Sequence, residues 1–255
     1  MARLAPDHNS FFHETDRLLA LLRSLAGVAP VHRKLIAEIM LMRLSFLLEN
    51  HLKLIFAKLS CGARYLDGSI PKLQLPRRSM AAALTAMKDF NRPRPRYPIW
   101  NDAAEIRENV IHVISANDHC ISVMRAYASY ITELRYIRNY IAHRNDGTHK
   151  NFRTVLRKFY GAVVPGVTSG TLLLSERVST PPLMELHIRT SRILIKELLK
   201  AYPQRPGGAS SKSHTSRRNP GRNRRAVPPQ PALAPLREYS RRSFSTTAPT
   251  PSRPP

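Results

Sequence analysis

A cation, an amide and a titratable imidazole lie close together near the middle of the chain, at Arg138, Asn139 and His143, and together they could act on an anion. The surrounding apolar residues recur at helical spacing; these are Ile131, Leu134, Ile137 and Ile141. This spacing predicts a helix within residues 128–146. Asn139 and His143 are four residues apart and would share one face, whereas Arg138 would lie roughly 140° from His143 around a straight helix. The arginine and the histidine therefore converge only if the helix ends or distorts near His143, or if a partner surface completes the site.

The residue types indicate phosphodiester chemistry. An imidazole exchanges protons near neutral pH, and a guanidinium stabilises charge that develops on phosphate oxygens. Asn139 could hydrogen-bond one imidazole nitrogen and fix its tautomer. RNA is a natural substrate, because its own 2′-hydroxyl can attack the adjacent phosphate once a base removes the proton. No cluster of carboxylates or of His and Cys residues accompanies the three residues, so we expect neither a metal nor another cofactor.

A purely structural interpretation of the same residues competes with this one. In it, His143 caps the last carbonyls of the helix and Arg138 forms a surface salt bridge with Glu133 or Asp146. An arginine and a histidine at short spacing form a degenerate pattern, so the spacing by itself does not decide between the two interpretations.

Five nearby residues are candidates for substrate contact. Tyr136 and Tyr140 lie one turn apart and could stack on bases, although packing in the core is the more frequent role of such a pair. The cations that follow could bind phosphates; these are Arg144, Lys150 and Arg153.

Residues 138–143, read as R-N-Y-I-A-H, resemble the R-x4-6-H motif of the HEPN superfamily of helical-bundle proteins, in the form in which Asn follows Arg and Ala precedes His. The surroundings are similar too, with a long apolar helix upstream and a polar Asn-Asp turn after the motif. The likeness is strongest to the stand-alone bacterial defence and toxin members, of the RiboL-PSP-like or a similar kind.

The resemblance implies a function. Active members of the superfamily are metal-independent endoribonucleases that work as dimers, with the motifs of two protomers facing one cleft. It implies that Arg138 stabilises the scissile phosphate, that His143 transfers protons, and that Asn139 positions the histidine or the phosphate. An antitoxin or another partner protein is also implied. Other members are inactive, so a non-catalytic module that binds RNA or protein is the alternative.

The rest of the chain to residue 202 predicts an all-α bundle around this motif. The predicted helices cover residues 10–25, 32–60, 80–90, a segment opened by the capping box Asp102–Glu105, a segment capped by Asn117 or Asp118 that continues into the motif, 151–160 and 180–202. We take residues 32–60 as the central helix. Its wide apolar surface includes Leu35, Ile36, Ile39, Met40, Phe46, Leu47, Ile55, Phe56 and Leu59. Glu49 and Asn50 interrupt that surface, and the pattern favours a solvated position for both over a place in a cleft.

Residues 163–179 are the exception to the helical pattern. Gly166 and Gly170 lie between two β-prone runs there, which predicts a small β-hairpin insertion. The fold class expected from the sequence is therefore all-α, with a HEPN-like helical domain over residues 1–202.

The net charge of the chain indicates what kind of partner to expect. The formal net charge is +24, which favours polyanions such as RNA. Residues 203–255 hold eleven Lys or Arg against one acidic residue, with many Pro and Ser, and this composition predicts a disordered basic tail. The Pro-Arg run at residues 91–98 could contact phosphates or act as a solvated connector. Neither a secretory leader nor an uninterrupted apolar span is visible, so we expect a cytoplasmic protein without membrane contact.

Overall fold

The computed structural model describes residues 3–87, 99–177 and 180–200. Within these ranges the chain is all-α and contains no strand. The helices are α1 (Ala5–Ser24), α2 (Pro30–Ser60), α3 (Met80–Ala86), α4 (Ala103–Val110), α5 (His119–Ala126), α6 (Ala128–Ala142), α7 (Asp146–Tyr160), α8 (Ser169–Leu174) and α9 (Leu183–Leu199). None of the described helices has the length and apolar character needed to cross a membrane.

Helix α2 is the centre of the bundle, as the sequence predicts, and it packs against α1, α3, α6, α8 and α9. Its inner residues are inaccessible to solvent, among them Leu44, Leu52, Ile55 and Phe56. Burying a side chain of this size contributes about 2 kcal/mol relative to leaving it exposed. Helix α2 therefore supplies the apolar surface against which α1, α3, α6, α8 and α9 pack.

The predicted caps of α4 and α5 are confirmed. The Asp102 carboxylate accepts hydrogen bonds from the backbone N–H groups of Ala104 and Glu105. Asp118, rather than Asn117, caps α5 by accepting from the N–H of Cys120 at 3.0 Å. The same buried carboxylate accepts from the Tyr65 hydroxyl and the Lys72 N–H, so it ties α5 to the loop after α2.

The outer face of α2 is exposed, although the sequence predicted that it belongs to the core. Leu35, Ile39 and Phe46 were predicted to be buried, but their side chains are 55%, 58% and 60% exposed. With the half-buried Met42 they form a row spaced by four, three and four residues, which is the a/d spacing of a coiled-coil seam. We call these four residues the α2 seam. The apolar pattern of α2 covers more of the helix circumference than the bundle encloses.

The chain turns between α5 and α6, where the sequence predicted one continuous helix. Tyr127 has φ −97° and ψ 9°, outside the helical region, and separates the two helices. The buried residues of α6 are Ile131, Leu134 and Ile137. The motif is therefore carried by a separate helix that begins at Ala128.

The predicted β-hairpin at residues 163–179 is wrong as far as that segment is described, since α8 lies there. Thr168 caps the helix by accepting from the N–H of Thr171. Glu38 of α2 accepts hydrogen bonds from the Ser169 hydroxyl at 2.5 Å and the Gly170 N–H at 3.0 Å. A Cβ at Gly170 would lie 2.6 Å from the Lys34 carbonyl oxygen, so only glycine permits this approach. Contacts with α2 therefore override the local β propensity.

Several sequence predictions lie outside the described residues. These are the end of the predicted 80–90 helix, the Pro-Arg run at residues 91–98, and residues 178–179 of the predicted hairpin. The disordered basic tail and the domain boundary at residue 202 also fall there.

Candidate active site

The corner between α6 and α7 carries His143. Helix α6 ends at Ala142, and His143 leaves it with extended backbone, φ −141° and ψ 93°. Its N–H still donates to the Asn139 carbonyl at 2.8 Å. The imidazole is exposed and makes no hydrogen bond within the described part of the chain. His143 therefore presents a solvent-accessible ring at a fixed helix end, as the sequence predicts.

A capping box holds this corner. The Asn145 side chain accepts from the Thr148 N–H at 2.9 Å, and the Thr148 hydroxyl oxygen accepts from the Asn145 N–H at 3.1 Å. The Thr148 hydroxyl also donates to the His143 carbonyl. The Asn-Asp-Gly sequence thus does more than stop α6, because Asn145 starts α7 and Gly147 belongs to that helix. The backbone of His143 is fixed by the first turn of α7.

Arg138 and Asn139 are joined to each other. The Arg138 Nη1 donates to the Asn139 Oδ1 at 3.0 Å, and both side chains are half-buried. The carboxamide oxygen that could have accepted from the imidazole is therefore bound to the guanidinium. Arg138 makes no salt bridge with either predicted partner: within the described residues Asp146 makes none, and Glu133 pairs with Lys158 at 2.5 Å.

A small cavity lies between α2 and α6 beside Arg138. Its polar lining comes from Ser45, Glu49, Asn101, Arg135 and Arg138, and its apolar walls from Leu48, Trp100, Ile131 and Leu134. The Ser45 hydroxyl and the Arg135 Nε are buried there without hydrogen-bond partners. Glu49, for which the sequence favoured a solvated position, faces this cavity instead. Arg138 thus reaches toward α2, and His143 lies beyond the end of the helix.

The two tyrosines lie on the side of α6 that packs against α7. The Tyr140 ring stacks on Phe152, with centroids 4.2 Å apart and an interplanar angle of 3°, and it lies 5.8 Å from the His149 ring. Tyr136 lines a shallow groove with Glu133 and Lys158. Both rings are half-buried and pack against the hydrophobic core. Tyr140 thus has the packing role that the sequence left open beside base stacking.

The candidate phosphate-binding cations are exposed around the corner. Arg144 lies in the turn, and Lys150, Arg153 and Arg157 follow on α7 at spacings of three and four residues. This spacing places the last three within about 60° of one another around the helix. We call Lys150, Arg153 and Arg157 the α7 basic stripe. It begins about one helical turn into α7, and its positive potential favours an anionic ligand at the corner.

A buried histidine on α9 was not recognised as a candidate from the sequence. His187 of α9 is 2% exposed, and its Nε2 lies 4.0 Å from the Glu133 carboxylate on α6. Burial, with a smaller contribution from Lys158, lowers the pKa of His187 to about 4, although Glu133 acts in the opposite direction. One signal was available, because His187 and Ser191 interrupt the buried apolar face of α9 one turn apart. The Tyr130 hydroxyl contacts both, at the His187 carbonyl and the Ser191 hydroxyl.

Fold and site define an all-α protein whose α6–α7 corner carries an exposed histidine, an Arg–Asn pair and a basic stripe. Among the described residues, no group of three or more His, Cys, Asp or Glu side chains is arranged to hold a metal ion. Comparisons of the chain with protein-family models, curated proteins and solved structures found no match. The resemblance of the motif to the HEPN superfamily therefore remains a prediction from the sequence.

Proposed function

We propose that this protein is a metal-independent endoribonuclease of the HEPN type, acting in the cytoplasm in a toxin or defence setting. The observation that carries the proposal is the α6–α7 corner, where His143 is exposed on a backbone held by the capping box. Arg138 and Asn139 lie within the preceding turn and a half, and the α7 basic stripe follows directly. Exposure leaves the imidazole free to exchange protons with a bound substrate.

In this mechanism His143 removes the proton of an RNA 2′-hydroxyl, and the 2′-oxygen attacks the adjacent phosphorus. The bond from phosphorus to O5′ breaks and O5′ takes up a proton, which leaves a 2′,3′-cyclic phosphate and a 5′-hydroxyl end. Arg138 stabilises the charge that accumulates on the phosphate oxygens, and Asn139 holds the guanidinium in place through its hydrogen bond. Arg144 and the α7 basic stripe bind neighbouring phosphates.

The test is RNA cleavage by the purified full-length protein in excess EDTA, with analysis of the RNA ends. We expect His143→Ala and Arg138→Ala each to lower the cleavage rate at least about 100-fold, the usual size of a lost proton-transfer or charge-stabilising group. His112→Ala is the matched control, since His112 is an exposed histidine outside α6 and α7. Full activity in either site variant, or loss of activity in EDTA, would contradict the proposal.

The proposal includes a homodimer, because Arg138 lines the cavity against α2 whereas His143 lies beyond the end of α6. The α2 seam supports a second copy as the partner. Its exposed apolar row continues along α2 to Glu49, which lines the cavity beside Arg138. A copy that docks on this seam would bring a second motif close to the first.

Sedimentation of the full-length protein tests the dimer. We expect the double variant Ile39→Glu/Phe46→Glu to be monomeric and to lose cleavage, because it would place charges inside an apolar seam. Ile70→Glu is the control, since Ile70 is equally exposed at 63% but lies in a loop away from α2. A wild-type monomer that cleaves RNA would remove the dimer from the proposal and leave the catalytic part standing.

A non-catalytic binding module is the second candidate. The separation of Arg138 from His143 and the exposed α7 basic stripe favour it, since both fit a surface that holds RNA or a partner protein without cleaving it. RNA binding that survives His143→Ala, with no cleavage by the wild type, would identify this function.

A further inference from the structure

A groove between α1 and α9 lies outside the candidate active site, and the proposed function does not draw on it. Its floor is apolar, formed by Phe12 and Leu19 of α1 and Ile193 of α9. Its rim is cationic, formed by Arg189, Arg192 and Lys196 of α9. Ile193 is 50% exposed, so the bundle leaves this floor uncovered.

The cations of the rim lie in line. They occupy positions three and four residues apart on α9, and therefore follow one edge of the groove over about 10 Å. Arg189 pairs with Glu185 and Arg192 pairs with Asp16, whereas Lys196 makes no ion pair within the described residues. None of the described residues that line the groove is acidic. A ligand in the groove therefore meets an apolar floor beside a row of three cations, of which Lys196 has no acidic partner among the described residues.

The chain is unsuited to fill this groove with its own segments. Residues 203–255 carry eleven Lys or Arg against one acid, and a second copy docked groove to groove would present the same three rim cations. Either would bring like charges together along the rim, which costs free energy. The complementary partner is acidic.

RNA is also anionic, but the floor does not suit it. Bases bind proteins by stacking on open aromatic faces or by hydrogen bonds at their edges. The Phe12 ring already lies between the His8 ring, at 4.2 Å, and the Arg192 guanidinium, at 4.5 Å. The other two floor residues are aliphatic and offer neither interaction.

We propose that the α1/α9 groove is a docking site for an acidic amphipathic helix of a partner protein. Phe12 and Leu19 are seven residues apart, about 10 Å along α1, so their spacing matches two turns of a docked helix. The apolar face of such a helix covers Phe12, Leu19 and Ile193. Its acidic flank faces Arg189, Arg192 and Lys196.

The probe is a synthetic helical peptide with Leu at positions i, i+4, i+7 and i+11 and Glu along one flank, titrated into the full-length protein by fluorescence anisotropy. We expect saturable binding that weakens at least tenfold in the double variant Arg189→Glu/Lys196→Glu, and also in Ile193→Ser. The control protein variant is Arg125→Glu, an exposed arginine of α5 outside the groove. The control peptide replaces each Glu with Lys.

Several outcomes of this titration would overturn the docking proposal. It is overturned by the absence of saturable binding, by equal loss of affinity in Arg125→Glu, or by equal binding of the Lys peptide. A single-stranded RNA oligonucleotide that loses affinity in the groove variants while the peptide does not would overturn it in favour of an RNA surface. The result is independent of the ribonuclease proposal, because neither α1 nor α9 carries Arg138, Asn139 or His143.

Discussion

Two histidines next to α6 show how position decides what an imidazole can do. His143 lies at the end of α6 with an exposed ring, and His187 of α9 is almost completely buried beside Glu133 of the same helix. Both are within reach of charged neighbours. Only the exposed ring is accessible to a substrate, whereas the buried one is held in its neutral form by the loss of solvent.

The surroundings of His187 explain why a nearby carboxylate does not keep it protonated. Glu133 lies 4.0 Å from its Nε2, but the same carboxylate pairs with Lys158 at 2.5 Å. Burial lowers the pKa of His187 by more than Glu133 raises it, and the positive charge of Lys158 acts in the same direction as burial. The buried Nε2 has no hydrogen-bond partner in the described structure. Proximity of an acid to a histidine is therefore a poor guide to proton transfer where burial dominates.

The largest effect that separates the two histidines is on stability at acidic pH. The pKa of His187 is lowered to about 4 in the folded chain, against about 6.5 for a solvated histidine. The unfolded state therefore binds more protons between these values. The stabilising contribution of His187 is complete above pH 6.5 and is lost as the pH falls toward 4. The free energy of unfolding then decreases by about 3 kcal/mol.

Urea unfolding at several pH values between 7 and 4 measures this loss. In His187→Leu we expect most of the decrease in the free energy of unfolding between pH 6.5 and 4.5 to disappear, because no group titrates at that position. His143→Leu is the matched control and should keep the wild-type pH dependence, since the ring it removes is exposed. An unchanged pH dependence in His187→Leu would show that the buried histidine does not control acid stability.

The sequence predicted the exposed histidine better than the buried one, and the reason is the range of the interactions. His143 is defined by neighbours within five residues, the end of α6 and the Asn145 turn, which are visible as a local pattern. The caps at Asp102 and Asp118 are local in the same way. His187 depends on Glu133 and Lys158, 54 and 29 positions earlier, and no local pattern connects them.

The short range of sequence patterns also explains the errors in the predicted fold. The segment that became α8 has β-prone residues, and the contacts that make it helical come from Glu38 and Lys34, more than 130 positions away. The α2 seam has the apolar periodicity of a buried face, and which of two apolar faces the bundle covers depends on the other helices. Periodicity predicts that a helix has an apolar face, but it does not identify what lies against that face.

A smaller effect tests whether the backbone at His143, rather than its side-chain surroundings, prepares the candidate site. Asn145→Ala removes the capping box that joins the His143 corner to α7, and we expect a loss of about 1 kcal/mol in the free energy of unfolding. Ser79→Ala removes a comparable cap from α3, where the Ser79 side chain accepts from the Ala82 N–H. We expect both variants to lose similar stability in urea unfolding.

Only Asn145→Ala should also lower RNA cleavage, measured at a temperature where both variants remain folded, because only that cap belongs to the capping box whose Thr148 hydroxyl donates to the His143 carbonyl. Equal cleavage rates in the two variants would mean that the capping box stabilises α7 without positioning the histidine. The exposed imidazole would then depend on bound RNA or on a second protomer for its orientation. In that case burial alone would distinguish His143 from His187.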